Sequence, residues 1–258
     1  MILRMKSNWK ILFMEAAGLA GFVLGAGILT IILEHPDLPV MNGHWAEYDM
    51  LRRVPLGIIM GGYIVGVTLL IGKKSGAHIN PSVTWTFYRL GKINLADSIL
   101  YTIAQFIGAI ATSQFLKHTL GNYFGHPLLN YGVSEPQPPY GSATAFIAEF
   151  IISFIMMLLV LIAITSKRYE KYVALISGVL IALYLIIELP FSGMSLNPAR
   201  STGSSLAANQ YKYLWIYFVA PTLAMLAAAE IFLVIKKGRF SFKYKIDDQE
   251  IPTYPIVK

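Results

Sequence analysis

The chain has 258 residues, of which 55% are hydrophobic and only 14% charged, with a formal net charge of +7 and no cysteine. So few charges cannot clothe an ordinary globular domain, and the lack of cysteine excludes disulfides and thiolate chemistry. The positive balance raises nucleic acid or a membrane as a partner, and the pattern along the chain decides between them.

A first apolar block runs over residues 11–33 with Glu15 as its one charge, and a polar stretch, EHPDLPVMNGHWAEYDMLRR, follows it. The second block, 54–72, and the third, 98–116, carry no charge. A Gly- and Pro-rich segment over 119–141 reads as a loop. Beyond it, blocks at 143–165, 172–189 and 213–235 carry one charge each, Glu149, Glu188 and Glu230. About 20 helical residues cross the hydrocarbon core, so six spanning helices are expected. The first block is longer than the apolar part of a signal peptide and is expected to stay as a span. Trp9, Trp45, Tyr101, Tyr213 and Trp215 fall near the block ends, which suggests interfacial anchors.

With the N-terminus inside, the inner segments hold Arg4, Lys6, Lys10, Lys73, Lys74, Arg89, Lys92, Lys167, Arg168, Lys171 and the tail after Ile235. The outer ones hold only Arg52, Arg53, Lys117, Arg200 and Lys212. This bias places both termini in the cytoplasm of a multi-pass protein of the cell membrane. The basic tail is then an orientation signal, with no nucleic-acid partner.

Between the second and third blocks lies SGAHINPS (75–82), and between the fifth and sixth lies SGMSLNPA (192–199). Ser-Gly and Asn-Pro recur at an offset of 117 residues, and MEAAGLAGF (14–22) is echoed by AEFIISFIM (148–156). Three spans per half invert one half relative to the other. Asn is a good N-cap and Pro suits the first helical position, so short helices are expected over 81–89 and 198–208. Each is about half a bilayer core long. Entering from opposite faces, they would bring two positive helix ends, with the amides of Asn80 and Asn197, to the membrane centre. That arrangement opposes cations and protons and tolerates neutral dipoles. Glycines at 72, 76 and 193 suit unusual dihedrals.

Motif, spacing and duplication together resemble the major intrinsic protein family, the aquaporins and glycerol channels. YTIAQFIGA and WIYFVAPTLA are similar to its third and sixth helices, and the resemblance covers roughly residues 9–235. It implies an all-α membrane protein of aquaporin-like fold, with six transmembrane helices plus two half-spanning re-entrant helices in inverted repeats. A single channel domain, 1–258, would comprise a first repeat (9–118), an extracellular connecting loop (119–141), a second repeat (142–235) and a cytoplasmic basic tail (236–258). The resemblance also implies homotetramers in which each subunit has its own pore, without enzymatic chemistry, cofactor or metal. The first motif reads Asn-Pro-Ser where the family usually has Asn-Pro-Ala, so Ser82 departs from the pattern with little effect expected.

Carried over by motif, Asn80 and Asn197 mark the pore centre and His78 lines its cytoplasmic half. Arg200, with Met60, Leu185 and Met194, forms the outer filter, and a slip of one residue would substitute Tyr184 for Leu185. Independently, an arginine three residues into a half-membrane helix needs water or a partner. Glu15 and Glu149, equivalent in the two halves, would accept hydrogen bonds from the re-entrant loops. Glu188 has no counterpart in the first half, where Ile71 stands, and reads either as a carboxylate near the mouth or as interfacial.

Glycerol-conducting members usually carry Asp after the second Asn-Pro-Ala-Arg, and this chain has Ser201. Passive water conduction with exclusion of protons and ions is therefore the first expectation. The absence of a filter histidine pulls toward glycerol or another small neutral solute. A structural membrane protein with a closed pore is a third possibility. A coupled transporter would want acidic or polar side chains at the centre, in place of two amides.

Overall fold

The computed structural model describes residues 8–41 and 43–242. Arg4, Lys6 and most of the basic tail lie outside the described residues, as does the side chain of Trp45. Six long helices cross the layer: α1 (Trp9–Glu34), α2 (Asp49–Ser75), α4 (Leu95–Phe124), α5 (Ser142–Ile164), α6 (Val173–Ile187) and α9 (Leu214–Phe242). Three short ones lie between them: α3 (Pro81–Arg89), α7 (Leu189–Ser192) and α8 (Pro198–Ala208). Five of these helices, and α6 together with the single turn before it (Glu170–Ile187), are long and apolar enough to span a bilayer, so this is an all-α, multi-pass membrane fold.

Three helices, α2, α4 and α9, clearly outrun their apolar blocks, α9 running on to Phe242 into the expected tail. α2 begins at Asp49 because Arg52, 5% exposed, binds Asp49 Oδ1 at 2.6 Å, Glu34 Oε2 at 3.1 Å and the Ala46 carbonyl at 2.7 Å. The charges that ended the apolar count thus fasten the first turn. α4 continues to Phe124, into the expected connecting loop, with a break in helical geometry at Gly121 (φ 42°). Lys117 does not end it, because its ammonium donates to the Ala207 carbonyl at 2.7 Å.

Tyr101 corrects another expectation. It is fully buried, and its hydroxyl donates to the Ser75 carbonyl at 3.0 Å, so it is a core support and not an interfacial anchor. Trp9 and Trp215 are exposed, as anchors would be.

α1 packs on α4 and α5 on α9, while α2 against α6 joins the two groups. The α2–α6 crossing is tight: a Cβ at Gly61 would sit 2.5 Å from the Gly178 carbonyl oxygen. Small residues permit such backbone contact where burial from water drives nothing. The short helices cross over, α8 packing on α4 and α3 on α9. Each therefore rests on helices from both ends of the chain.

Candidate functional site

The loops before α3 and α8 repeat one construction. Gly76 (φ 87°) and Gly193 (φ 79°) turn the chain into the left-handed region after α2 and α7. Ala77 and Ile79 then adopt φ of 47° and 39°, and Met194 and Leu196 adopt 43° and 59°. Such dihedrals are costly for residues with a Cβ and persist only when surroundings enforce them. The enforcement comes from the two buried glutamates. Glu15 accepts the backbone N–H of His78 at 3.0 Å and of Ile79 at 2.5 Å. Glu149 accepts those of Ser195 at 2.6 Å and Leu196 at 2.8 Å. A third donor completes each set, Gln105 Nε2 (2.9 Å) for Glu15 and Ser192 Oγ (2.9 Å) for Glu149. A buried carboxylate with three donors is satisfied.

Tyr101 and Tyr217 are the matching struts. Tyr101 bonds the Ser75 carbonyl and Tyr217 the Ser192 carbonyl. The hydroxyls of Ser75 and Ser192 accept the N–H groups of Ala77 and Met194, each at 3.1 Å.

At the end of each loop an asparagine caps its helix. Asn80 Oδ1 accepts Ser82 N–H at 2.9 Å; Asn197 Oδ1 accepts Ala199 N–H at 3.0 Å and Arg200 N–H at 3.3 Å. Their amide nitrogens cross over. Asn80 Nδ2 donates to the Leu196 carbonyl at 2.7 Å, and Asn197 Nδ2 to the Ile79 carbonyl at 2.8 Å. The two helix N-termini are thereby latched together. An amide nitrogen carries two hydrogens, so each asparagine keeps one N–H for a molecule beside it.

Beside them is a cavity of about 150 Å³, far more than the roughly 10–15 Å³ that one water needs by the same measure. Its polar lining comes from Thr68, His78, Asn80, Ser177, Ser195, Asn197 and Arg200. The remainder is apolar, including Leu19, Val83, Phe87, Met156 and Ile181. The His78 ring stacks on Phe87 (centroids 4.8 Å apart) and lies 3.2 Å from Thr84 Oγ1. Among the described residues, no cluster of three His, Cys, Asp or Glu side chains could hold a metal.

Arg200 reaches this cavity while Met60, Leu185 and Met194 do not line it. Those three lie in one buried apolar cluster, with Tyr184 packed against it. Glu188 is 7% exposed at the α6–α7 junction, and it too is not part of the cavity wall.

Four participants carried no usable sequence signal: Ser134, Ser177, Gln105 and Tyr217. Ser134, from the connecting segment, accepts from the Arg200 guanidinium and from Ser201 Oγ at 3.0 Å. A serine in a Gly- and Pro-rich loop has no pattern of its own. Gln105 sat within a quoted motif, and Tyr217 near a block end.

The family model for Major intrinsic protein matches residues 47–232. Aquaporin NIP3-1 of Oryza sativa subsp. japonica is 36% identical over 174 residues, covering 67% of this chain and 54% of that protein. The match thus spans about half the length of this plant relative. Glycerol uptake facilitator protein-like 6 of Lactiplantibacillus plantarum is 34% identical over 188 residues, covering 71% and 84%. Among solved structures, the aquaglyceroporin from Plasmodium falciparum superposes with a TM-score of 0.73 at 20% identity, covering 92% of this chain and 100% of that one. The last likeness concerns fold alone.

Proposed function

Because this chain belongs to the major intrinsic protein family, a family of channels and not of enzymes, we propose that it passes small neutral solutes such as glycerol together with water, down their gradients. The observation that carries this reading is the cavity at the asparagine latch. Two amide N–H groups and the Arg200 guanidinium act as donors there, against walls that are otherwise mostly apolar. A polyol has the complementary form, with hydroxyls along one edge and C–H groups along the other. The relatives support the same breadth, since a glycerol uptake facilitator stands beside plant aquaporins.

Strict water conduction, first in the sequence reading, is therefore placed second. Its main support was Ser201, which is fully buried and bonded to Ser134 and Ser195. Its hydroxyl is spent on packing the loop, so it says little about the permeant.

In this reading α3 and α8 are half-spanning re-entrant helices of two inverted repeats, with their positive ends at the bilayer centre repelling cations. The cross-bonded caps of Asn80 and Asn197 support that geometry. By the family resemblance we assign the outer constriction beside Arg200 to Met60, Leu185 and Met194, which are buried together outside the cavity wall, and the inner half to His78. Both termini are cytoplasmic and four copies assemble, each with its own pore. Uptake of labelled glycerol into liposomes holding the purified protein tests the substrate class. Uptake should exceed that of empty liposomes, rise linearly with concentration and ignore ion gradients. Uptake no faster than in empty liposomes rejects the reading.

A further inference from the structure

One buried acid has no part in the pore. Glu188 connects α6 to α7, is 7% exposed, and neither carboxylate oxygen has a hydrogen-bond partner. Two more buried hydroxyls are also unpartnered, Tyr184 on α6 and Ser153 on α5. Tyr184 and Glu188 are four residues apart, as are Glu149 and Ser153, so each pair shares a helix face. Glu149 binds the hydroxyl of Ser192, which lies four residues beyond Glu188 on α7, so both acids adjoin the same short helix. α5 and α6 are consecutive spans joined by a short segment and run antiparallel.

The groups around Glu188 that could neutralise it are already committed. The single Ser192 proton goes to Glu149, and that of Tyr217 to the Ser192 carbonyl. The Arg200 guanidinium donates to Ser134, and its charge answers Glu149. α2, also packed on α6, carries Asp49, Arg52 and Arg53 at its outer turn, and these pair with one another and with Glu34. An ionised carboxylate buried without a donor is strongly unfavourable. A carboxylic acid is not.

We propose that Glu188, with Tyr184 one turn before it, is a proton-binding site behind the Gly193–Asn197 loop, and that releasing its proton to outer water reshapes this loop. Once ionised, Glu188 sets a second negative charge beside Glu149, the acceptor that holds the N–H groups of Ser195 and Leu196. Repulsion works against those two bonds. Alkaline solution should therefore alter how the channel ranks glycerol against water, a consequence that rests on the channel reading above.

Two measurements test the site. Infrared difference spectra of the purified protein, titrated between about pH 6 and 10 where buried glutamates have been found to ionise, should show a protonated carboxyl band that is lost on the alkaline side. The band should be missing in E188Q and present with a shifted midpoint in Y184F. The glycerol-to-water permeability ratio should change several-fold over the same range in wild type and stay flat in E188Q. A band that persists in E188Q, or no titrating band in wild type, overturns the site. A band that titrates while the ratio stays constant overturns its coupling to the loop. If neither solute permeates, the channel reading has failed, and the infrared result still decides the site.

Discussion

The loop before α3 presents the cavity with a histidine held against aromatic rings, while the second loop and the first turn of α8 present it with a serine and a guanidinium. Beneath that difference the two are built alike: a glycine with positive φ, a glutamate holding two backbone N–H groups, a tyrosine strut and an asparagine cap. His78 meets Thr84 and Phe87 on its own short helix and Tyr101 on α4. Ser195 and Arg200 end in a hydroxyl network that leaves their helix for Ser134 on the connecting segment. The common skeleton makes the latch. The differing side chains give each side of it a separate chemistry, and the second draws on the connecting segment through Ser134.

The largest effect should come from attacking the shared skeleton. Glu15→Gln and Glu149→Gln each remove a buried acceptor and a charge, costing about 2–4 kcal/mol. Thermal unfolding in detergent should show both variants well below wild type and close to each other. A large loss in one with none in the other would break the equivalence of the loops.

Next is the element that the first loop lacks. Arg200→Val should raise proton or cation leak and glycerol flux in liposomes, because it removes the one guanidinium on the cavity wall. The matching position in the first loop is already Val83, so Val83→Thr should leave ion exclusion intact. Equal leak from both variants would erase the proposed asymmetry.

Ser134→Ala should have a smaller and directional effect. It takes one hydrogen bond from Arg200, worth about 1 kcal/mol, without removing the charge. The glycerol-to-water ratio should change while ion exclusion persists. An unchanged ratio would confine the connecting loop to a packing role.

The smallest effect belongs to Ser82→Ala. The Ser82 hydroxyl lies 2.8 Å from Thr222 Oγ1 on α9, a neutral contact worth about 0.5–1.5 kcal/mol. A modest fall in melting temperature with normal flux is expected.

The regions most legible in the sequence were those where chemistry and geometry coincide in few residues. Asn-Pro fixes a helix start, and α3 and α8 begin at Pro81 and Pro198. A carboxylate in the middle of an apolar block must find donors, and Glu15 and Glu149 do. Elements whose role depends on long-range contact stayed hidden. Ser134 lies 66 residues from Arg200 in sequence, and no local pattern marks the pair. Tyr101 sat near a block end and read as an anchor, because its distance from water depends on how α4 packs. Helix limits at Asp49 and Phe124 were missed because charges stopped the apolar count, although Arg52 and Lys117 satisfy those charges internally. Pore-facing and core-facing side chains look alike in such blocks. For that reason Met60, Leu185 and Met194 could be named from resemblance but not from periodicity.

The central claim is that the asparagine latch borders a path for small neutral solutes wider than a water-only file. It is tested most directly by stopped-flow light scattering on liposomes holding the purified protein, shocked first with an impermeant sugar and then with glycerol. The account predicts fast shrinkage in both cases, followed in glycerol by protein-dependent re-swelling. Fast shrinkage in both with re-swelling no quicker than in empty liposomes would contradict it.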